Sequence, residues 1–332
     1  MDVQVVGHVC VDLAPEVLAL PGMSPGVLEE IGPARVTVGG VVGNVARAVR
    51  GLGGKVAVAA TVGADDLGQL CRAVLERDLP GAVHLSETTT RGSSYSVVLQ
   101  PPGADRTIWH HTGANDEFDG RCELVGASYV HFGYPTLTPG MTRDEGRPTV
   151  ELFERARAAG SATSLDLSYC ASNSPLRDYD WWGYFTRVLP VTDVFCPSWD
   201  DVTSALGLPA AFDRDRVEEY ADAFLGLGAA VVLITAGEHG SYVRAGSVDR
   251  LGHLAEAIGD HVAAWAGESS WIAPAPVRRF VNTNGAGDTF KAAFLVASLE
   301  RGSAIQAARH AADVVARYID GLPYGDGTAP GY

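Results

Sequence analysis

Apolar and polar positions follow two alternating rhythms along this chain. Short, valine-rich apolar runs predict strands at 3–9, 55–62, 128–132, 162–167, 191–196 and 230–235. Between them, apolar residues recur at helical spacing, as with Val42, Val45, Val49 and Leu52 in 40–52, and Leu67, Leu70, Val74 and Leu75 in 66–75. The same rhythm predicts helices over 149–159, 214–225, 288–299 and 303–318. Continuous apolar strands alternating with amphipathic helices imply an α/β fold with a largely parallel sheet covered on both faces.

Two regions break the alternation. Residues 13–37 are rich in Pro and Gly and end in a strand-like 34–38, and 91–112 read as strands 94–100 and 106–112 joined by a turn-forming 101–105. Paired together, the insertions make a small β sheet projecting from a main unit of 1–12, 38–90 and 113–322, with 323–332 as a loose tail. Such a sheet over the carboxyl ends of the main strands acts as a lid that keeps water from a reacting group. Its exposed edges make pairing of two copies, a homodimer, an expected route to covering them.

Composition narrows the function. A net charge of -15 argues against a general nucleic-acid binder, which needs a basic face. The five cysteines are widely separated, with no CxxC pair, and read as core thiols of a cytoplasmic protein. The first residues lack a basic region followed by a long apolar one, so no secretory signal and no membrane association are expected. His110 and His111 follow Trp109, but neighbours on a strand face opposite ways and do not grip one metal together. The first strand leads into Gly7-His8-Val9-Cys10-Val11-Asp12, not the GxGxxG of a dinucleotide-binding dehydrogenase.

The stretch Val281-Asn282-Thr283-Asn284-Gly285-Ala286-Gly287-Asp288-Thr289-Phe290 carries the most chemistry. Gly285 and Gly287 allow backbone amides to crowd where a helix begins, and a helix start leaves amides without carbonyl partners. Gly285, Ala286 and Gly287 thus form a candidate cradle for phosphate oxygens. Asp288 sets a carboxylate beside it, where a general base for a substrate hydroxyl has to stand. In the lid, Arg106 is placed either to meet a phosphate on the substrate or to face solvent.

These residues, together with Gly39-Gly40-Val41-Val42-Gly43-Asn44, resemble the ribokinase-like (PfkB) family of sugar and nucleoside kinases, and the resemblance runs from residue 3 to about 320. It implies a three-layer α/β/α sandwich with a small β-sheet lid, and ATP with Mg2+ as cofactors. Asp12, Gly39, Gly40 and Asn44 would then meet the acceptor, a role that suits them chemically, since carboxylate and amide together satisfy vicinal hydroxyls. Thr235, Gly237 and Gly240, with Asn284, would meet the nucleotide. Cys196-Pro197-Ser198-Trp199-Asp200-Asp201 resembles the family's magnesium-organising stretch, with Asp201 acting through water and shorter than the usual glutamate. Asn282 stands where many relatives hold a monovalent cation with aspartate, so potassium activation is not expected. Asp166-Leu167-Ser168-Tyr169 echoes a sugar-acid kinase pattern but lacks its asparagine and arginine. The expected function is an ATP-dependent sugar kinase; a nucleoside kinase and a non-catalytic sugar or nucleotide binder are the alternatives.

Overall fold

The computed structural model describes residues 1–22, 24–103, 106–281 and 283–324. The chain opens with β1 (Val3–Gly7) and leaves at once for the lid strands β2 (Cys10–Pro15) and β3 (Ala34–Gly39). Helix α1 (Gly40–Gly51), β4 (Val56–Gly63), α2 (Asp66–Asp78) and β5 (Val83–Thr88) return it to the main layer, and β6 (Tyr95–Leu99) and β7 (Thr107–His111) are the second excursion. Then come β8 (Tyr129–Gly133), α3 (Arg143–Ala158), β9 (Ala162–Leu165), α4 (Trp181–Val188), β10 (Val194–Phe195), α5 (Trp199–Leu206) and α6 (Arg214–Leu227). The last elements are β11 (Val231–Thr235), β12 (Ser241–Ala245), α7 (Val248–Ile258), β13 (Ser269–Ile272), α8 (Ala286–Ser298) and α9 (Ala304–Ile319).

The main sheet has the order β13-β12-β11-β10-β9-β8-β1-β4-β5. Its strands from β11 to β5 are parallel, and β12 and β13 add an antiparallel edge. Strand alternation divides the core in two. Val5, Val58 and Val231 face a layer built on α1, α8 and α9, while Val6, Ala59 and Val232 face α3, α4 and α6. Burial on both faces explains the uninterrupted apolar runs and confirms the three-layer sandwich. The two insertions pair as one sheet in the order β3-β2-β6-β7.

Several local expectations differ from the structure. The lid strand β2 begins at Cys10 and pairs Cys10–Pro15 with Ala34–Gly39, so Cys10 and Asp12 belong to the lid sheet and not to the end of β1. Strand β10 keeps only Val194 and Phe195 of the predicted 191–196, because Leu189–Val191 is spent on a 3-10 turn. Edge strand β5 is half-exposed and carries His84, Ser86 and Glu87, which hides its periodicity. The helices α4, α5 and α7 and the antiparallel pair β12 and β13 have patterns too short or mixed to stand out. The tail is partly packed: Tyr324 is buried and stacks on Tyr318 at 5.6 Å, and the expected tail beyond it lies outside the described residues. Among the described residues no helix is long and apolar enough to cross a membrane.

Candidate active site

Helix α8 starts at Ala286, inside the glycine motif and two residues before the predicted 288. Gly285 precedes it with φ +79°, a left-handed conformation that other residues adopt only with strain. The Ala286 amide is turned onto Thr283 O at 3.2 Å. The amides of Gly287 and Asp288, which helix geometry leaves without i−4 carbonyls, are therefore the donors aimed outward at the helix start.

Asp288 is 3% exposed. Its Oδ2 accepts from Asn44 Nδ2 at 2.9 Å, and Tyr134 Oη stands 2.8 and 2.7 Å from its two oxygens. A phenol has one hydrogen, so Tyr134 serves the two oxygens in turn. Burial raises the Asp288 carboxyl above its ordinary range, while Lys291, Tyr134 and Asn44 oppose the shift. Tyr134 is held in place by an unusual backbone, φ 67° and ψ 48°, directly after β8. One turn along α8, Lys291 donates to Asp166 Oδ2 at 2.5 Å, and Asp166 Oδ1 accepts from the Leu167 amide at 2.7 Å. Burial alone would lower the Lys291 ammonium, but Asp166, then Asp288 and Asp201, outweigh it and hold the group protonated. Asp288 is thus embedded in a buried network of three carboxylates, one ammonium and one phenol.

Two cavities flank the α8 start. One, of about 710 Å3, lies between lid and main layer and is lined by Asp12, Asn44, Arg47, Gln100 and Asn284. Gly39 is required here, because a Cβ on it would fall 2.0 Å from Asp12 Oδ2. A Cβ on Gly40 would fall 2.4 Å from His8 Nδ1. Asp12 is nearly buried and accepts from Cys10 Sγ at 3.1 Å. Burial raises its carboxyl, Cys10, Ser96 and Arg47 oppose this, and Asp288 reinforces it, so the two carboxylates sense one another. Arg106 Nη1 reaches from the lid to Thr283 Oγ1 at 3.1 Å, tying lid to motif. The second cavity, of about 470 Å3, runs from Thr235, Gly237 and Gly240 to Ala286 and Gly287, with Ala312, Val315 and Ile319 as an apolar wall. Thr235, Gly237 and Gly240 therefore stand together on one side of the glycine motif, and Asn284 stands on the other with Asn44.

Asp201 has a visible structural occupation. It is the third residue of α5 and completes a reciprocal cap: Ser198 N donates to Asp201 Oδ2 at 2.9 Å, and Asp201 N donates to Ser198 Oγ at 3.1 Å. It is nevertheless nearly buried and raises the carboxyls of Asp166 and Asp288 by its charge. Asn282 lies outside the described residues.

Sequence reasoning named neither Tyr134 nor Lys291. For Lys291 a signal existed: a charged residue in the middle of the apolar run Phe290-Lys291-Ala292-Ala293 needs a buried partner. Tyr134 follows a strand end at the sheet edge where ligands bind, but nothing local links it to a residue 154 positions away. His8 and His110, singled out only in part, meet through their Nε2 atoms at 3.1 Å. Burial, then His110, holds His8 well below the usual imidazole range, and burial with His111 brings His110 to about 4.

The family model described as pfkB family carbohydrate kinase matches residues 1–318. Among solved structures, the chain superimposes on a ribokinase from Arabidopsis thaliana complexed with ribose and ATP, with TM-score 0.69 and 21% identity, covering 96% of this chain and 92% of that one. A microbiome-derived acarbose kinase gives TM-score 0.68 at 24% identity over 98% and 94% of the two chains. A Burkholderia thailandensis nucleoside kinase in complex with inosine gives 0.64 at 18% over 96% and 91%. At these identities the structural likeness speaks for the fold, and the family model spans nearly the whole chain; the protein belongs to the pfkB family of carbohydrate kinases.

Proposed function

We propose that the chain is an ATP-dependent kinase that phosphorylates a hydroxyl of an unphosphorylated sugar. The observation that supports this reading most directly is a buried carboxylate, Asp288, at a helix start bordered by one cavity on the lid side and another on the side of Thr235, Gly237 and Gly240. Adenine suits the apolar wall of the smaller cavity, which leaves the phosphates to approach the amides of Gly287 and Asp288. Asp12 and Asn44 hold the acceptor hydroxyls. Asp288 takes the proton of the attacking hydroxyl, and the amides meet charge on the transferring group with little reorganisation. The hard oxygens of Asp201 suit Mg2+ held through water, which would arrive with ATP and neutralise phosphate charge.

Arg47 gives Nη2 to Val38 O at 2.8 Å, and Arg106 is engaged with Thr283, so both already serve the protein, while Arg35, which also lines the cavity, is exposed. A neutral acceptor needs none of the three, and a sugar phosphate would have to draw on Arg35. The 710 Å3 volume also admits a nucleoside, which is the second reading. Phosphorylation assayed across pentoses, hexoses, oligosaccharides, sugar phosphates and nucleosides with ATP and Mg2+ decides among them. Turnover on none of these, with ATP binding retained, overturns the kinase reading.

The role of Tyr134 is separately testable. Its hydroxyl stabilises the ionised Asp288, so Tyr134→Phe lets that carboxyl rise further. The acid limb of the kcat–pH profile then moves to higher pH. An unmoved limb means that Tyr134 does not touch the working base.

A further inference from the structure

His8, Cys10 and His110 bring three metal-ligating atoms within 4.8 Å of one another, a grouping that the kinase chemistry does not use. They come from the β1–β2 junction, from β2 and from β7, brought together by the pairing of the two insertions in the lid sheet and by its attachment at the end of β1. We propose that these residues form a binding site for zinc, and that the bound ion clamps lid strand β7 to the β1–β2 junction.

The supports of the three ligands make this a built site. The junction between His8 and Cys10 is fixed by Asn115, whose Oδ1 accepts from Val9 N at 3.0 Å and whose Nδ2 donates to Val9 O at 2.9 Å. His110 lies opposite Ser96 in the β6–β7 ladder, and its Nδ1 stands 3.1 Å from Ser96 Oγ. A hydrogen bond from Nδ1–H to that hydroxyl leaves the His110 Nε2 lone pair directed at His8, the arrangement that orients metal-bound imidazoles. The two Nε2 atoms are 3.1 Å apart, close to the ~3.4 Å separation of two nitrogens around tetrahedral zinc. Cys10 Sγ has to approach by about 1 Å, which its short side chain supplies by rotation. Asp12 Oδ1, 3.1 Å from Cys10 Sγ, stands next to the open position.

His8 is 1% exposed, and its Nδ1, on the ring edge away from His110, has no hydrogen-bond partner among the described residues, with or without the metal. Zinc displaces the proton held between the two Nε2 atoms, which passes to His8 Nδ1, and the Cys10 thiol gives its proton to solvent as the Zn–S bond forms. Two imidazoles and one thiolate suit zinc over the hard cations that accompany ATP. The site is independent of the kinase reading, since it is read by metal binding alone.

Equilibrium dialysis of the purified chain against zinc chloride is expected to give one zinc per chain. His110→Gln, on a lid strand and so harmless to the fold, weakens binding by at least about tenfold. Cobalt(II) is expected to give a thiolate charge-transfer band that Cys10→Ser abolishes. His111→Gln, on the opposite face of β7, leaves affinity unchanged. Zinc also slows amide exchange in β7 of the wild type and not of His110→Gln. Less than one zinc per chain, equal affinity in wild type and His110→Gln, or β7 exchange indifferent to zinc each overturns the proposal.

Discussion

Asp288→Asn is expected to lower kcat by about 10²–10⁴-fold, the usual contribution of a positioned general base, while ATP and acceptor still bind. The side chain keeps its shape and its Oδ1 still accepts from Tyr134, while the new Nδ2 faces Asn44, whose amide has to turn its oxygen toward it; with that turn made, loss of turnover reports the lost proton acceptor and not a collapsed pocket. Stability should move the other way. Burial raises the folded-state pKa of Asp288 above its unfolded value, so between those two values the native state binds more protons than the unfolded chain. Stability therefore falls as pH rises through that window, and at neutral pH the ionised carboxylate costs the fold. Removing it should leave Tm at neutral pH equal to or above that of the wild type, the trade expected where a site is held strained for function. Turnover within tenfold of wild type would end the assignment of Asp288 as base. A melt several degrees lower would instead show that the variant disturbs the network.

Lys291→Met is expected to be the most destabilising single change near the site. Lys291 is 4% exposed and its Nζ lies 2.5 Å from the fully buried Asp166. Taking away the ammonium strands a carboxylate with no water to solvate it, a loss of about 3–5 kcal/mol. For a chain of this length that corresponds to a fall in Tm of about 4–7 °C. Adding Asp166→Asn to the same chain should recover most of the loss, because the orphaned charge is then gone. A single variant melting within about 1 °C of wild type, or a double variant no better than the single, would show that the pair is not coupled. The change should also slow catalysis, since Lys291 is the strongest influence holding Asp288 ionised.

Much of this architecture was legible because it is encoded locally. A strand buried on both faces must be apolar throughout, so the runs around Val5, Val58 and Val231 announced themselves. Turn chemistry likewise announced the lid, and Gly285 announced the start of α8. Where neighbours are mixed, the signal failed: β5 is an exposed edge, and β12 and β13 alternate too briefly to be separated from loops. Gly39 was recognisable as part of a motif, but its reason, room for the Asp12 carboxylate, is a tertiary contact.

The sequence by itself determined the α/β alternation, the two-part lid, the glycine-bounded helix start and the identity of Asp288 as the residue to watch. These follow from periodicity, backbone sterics and side-chain chemistry, all of which act within a turn or two of chain. Tertiary structure alone decided what surrounds that carboxylate. Tyr134 and Asn44 come to it from 154 and 244 positions away, Lys291 finds Asp166 across 125, and His8 meets His110 across 102. Parallel crossovers and lid docking set those meetings, and neither leaves a periodic trace in the residues it brings together.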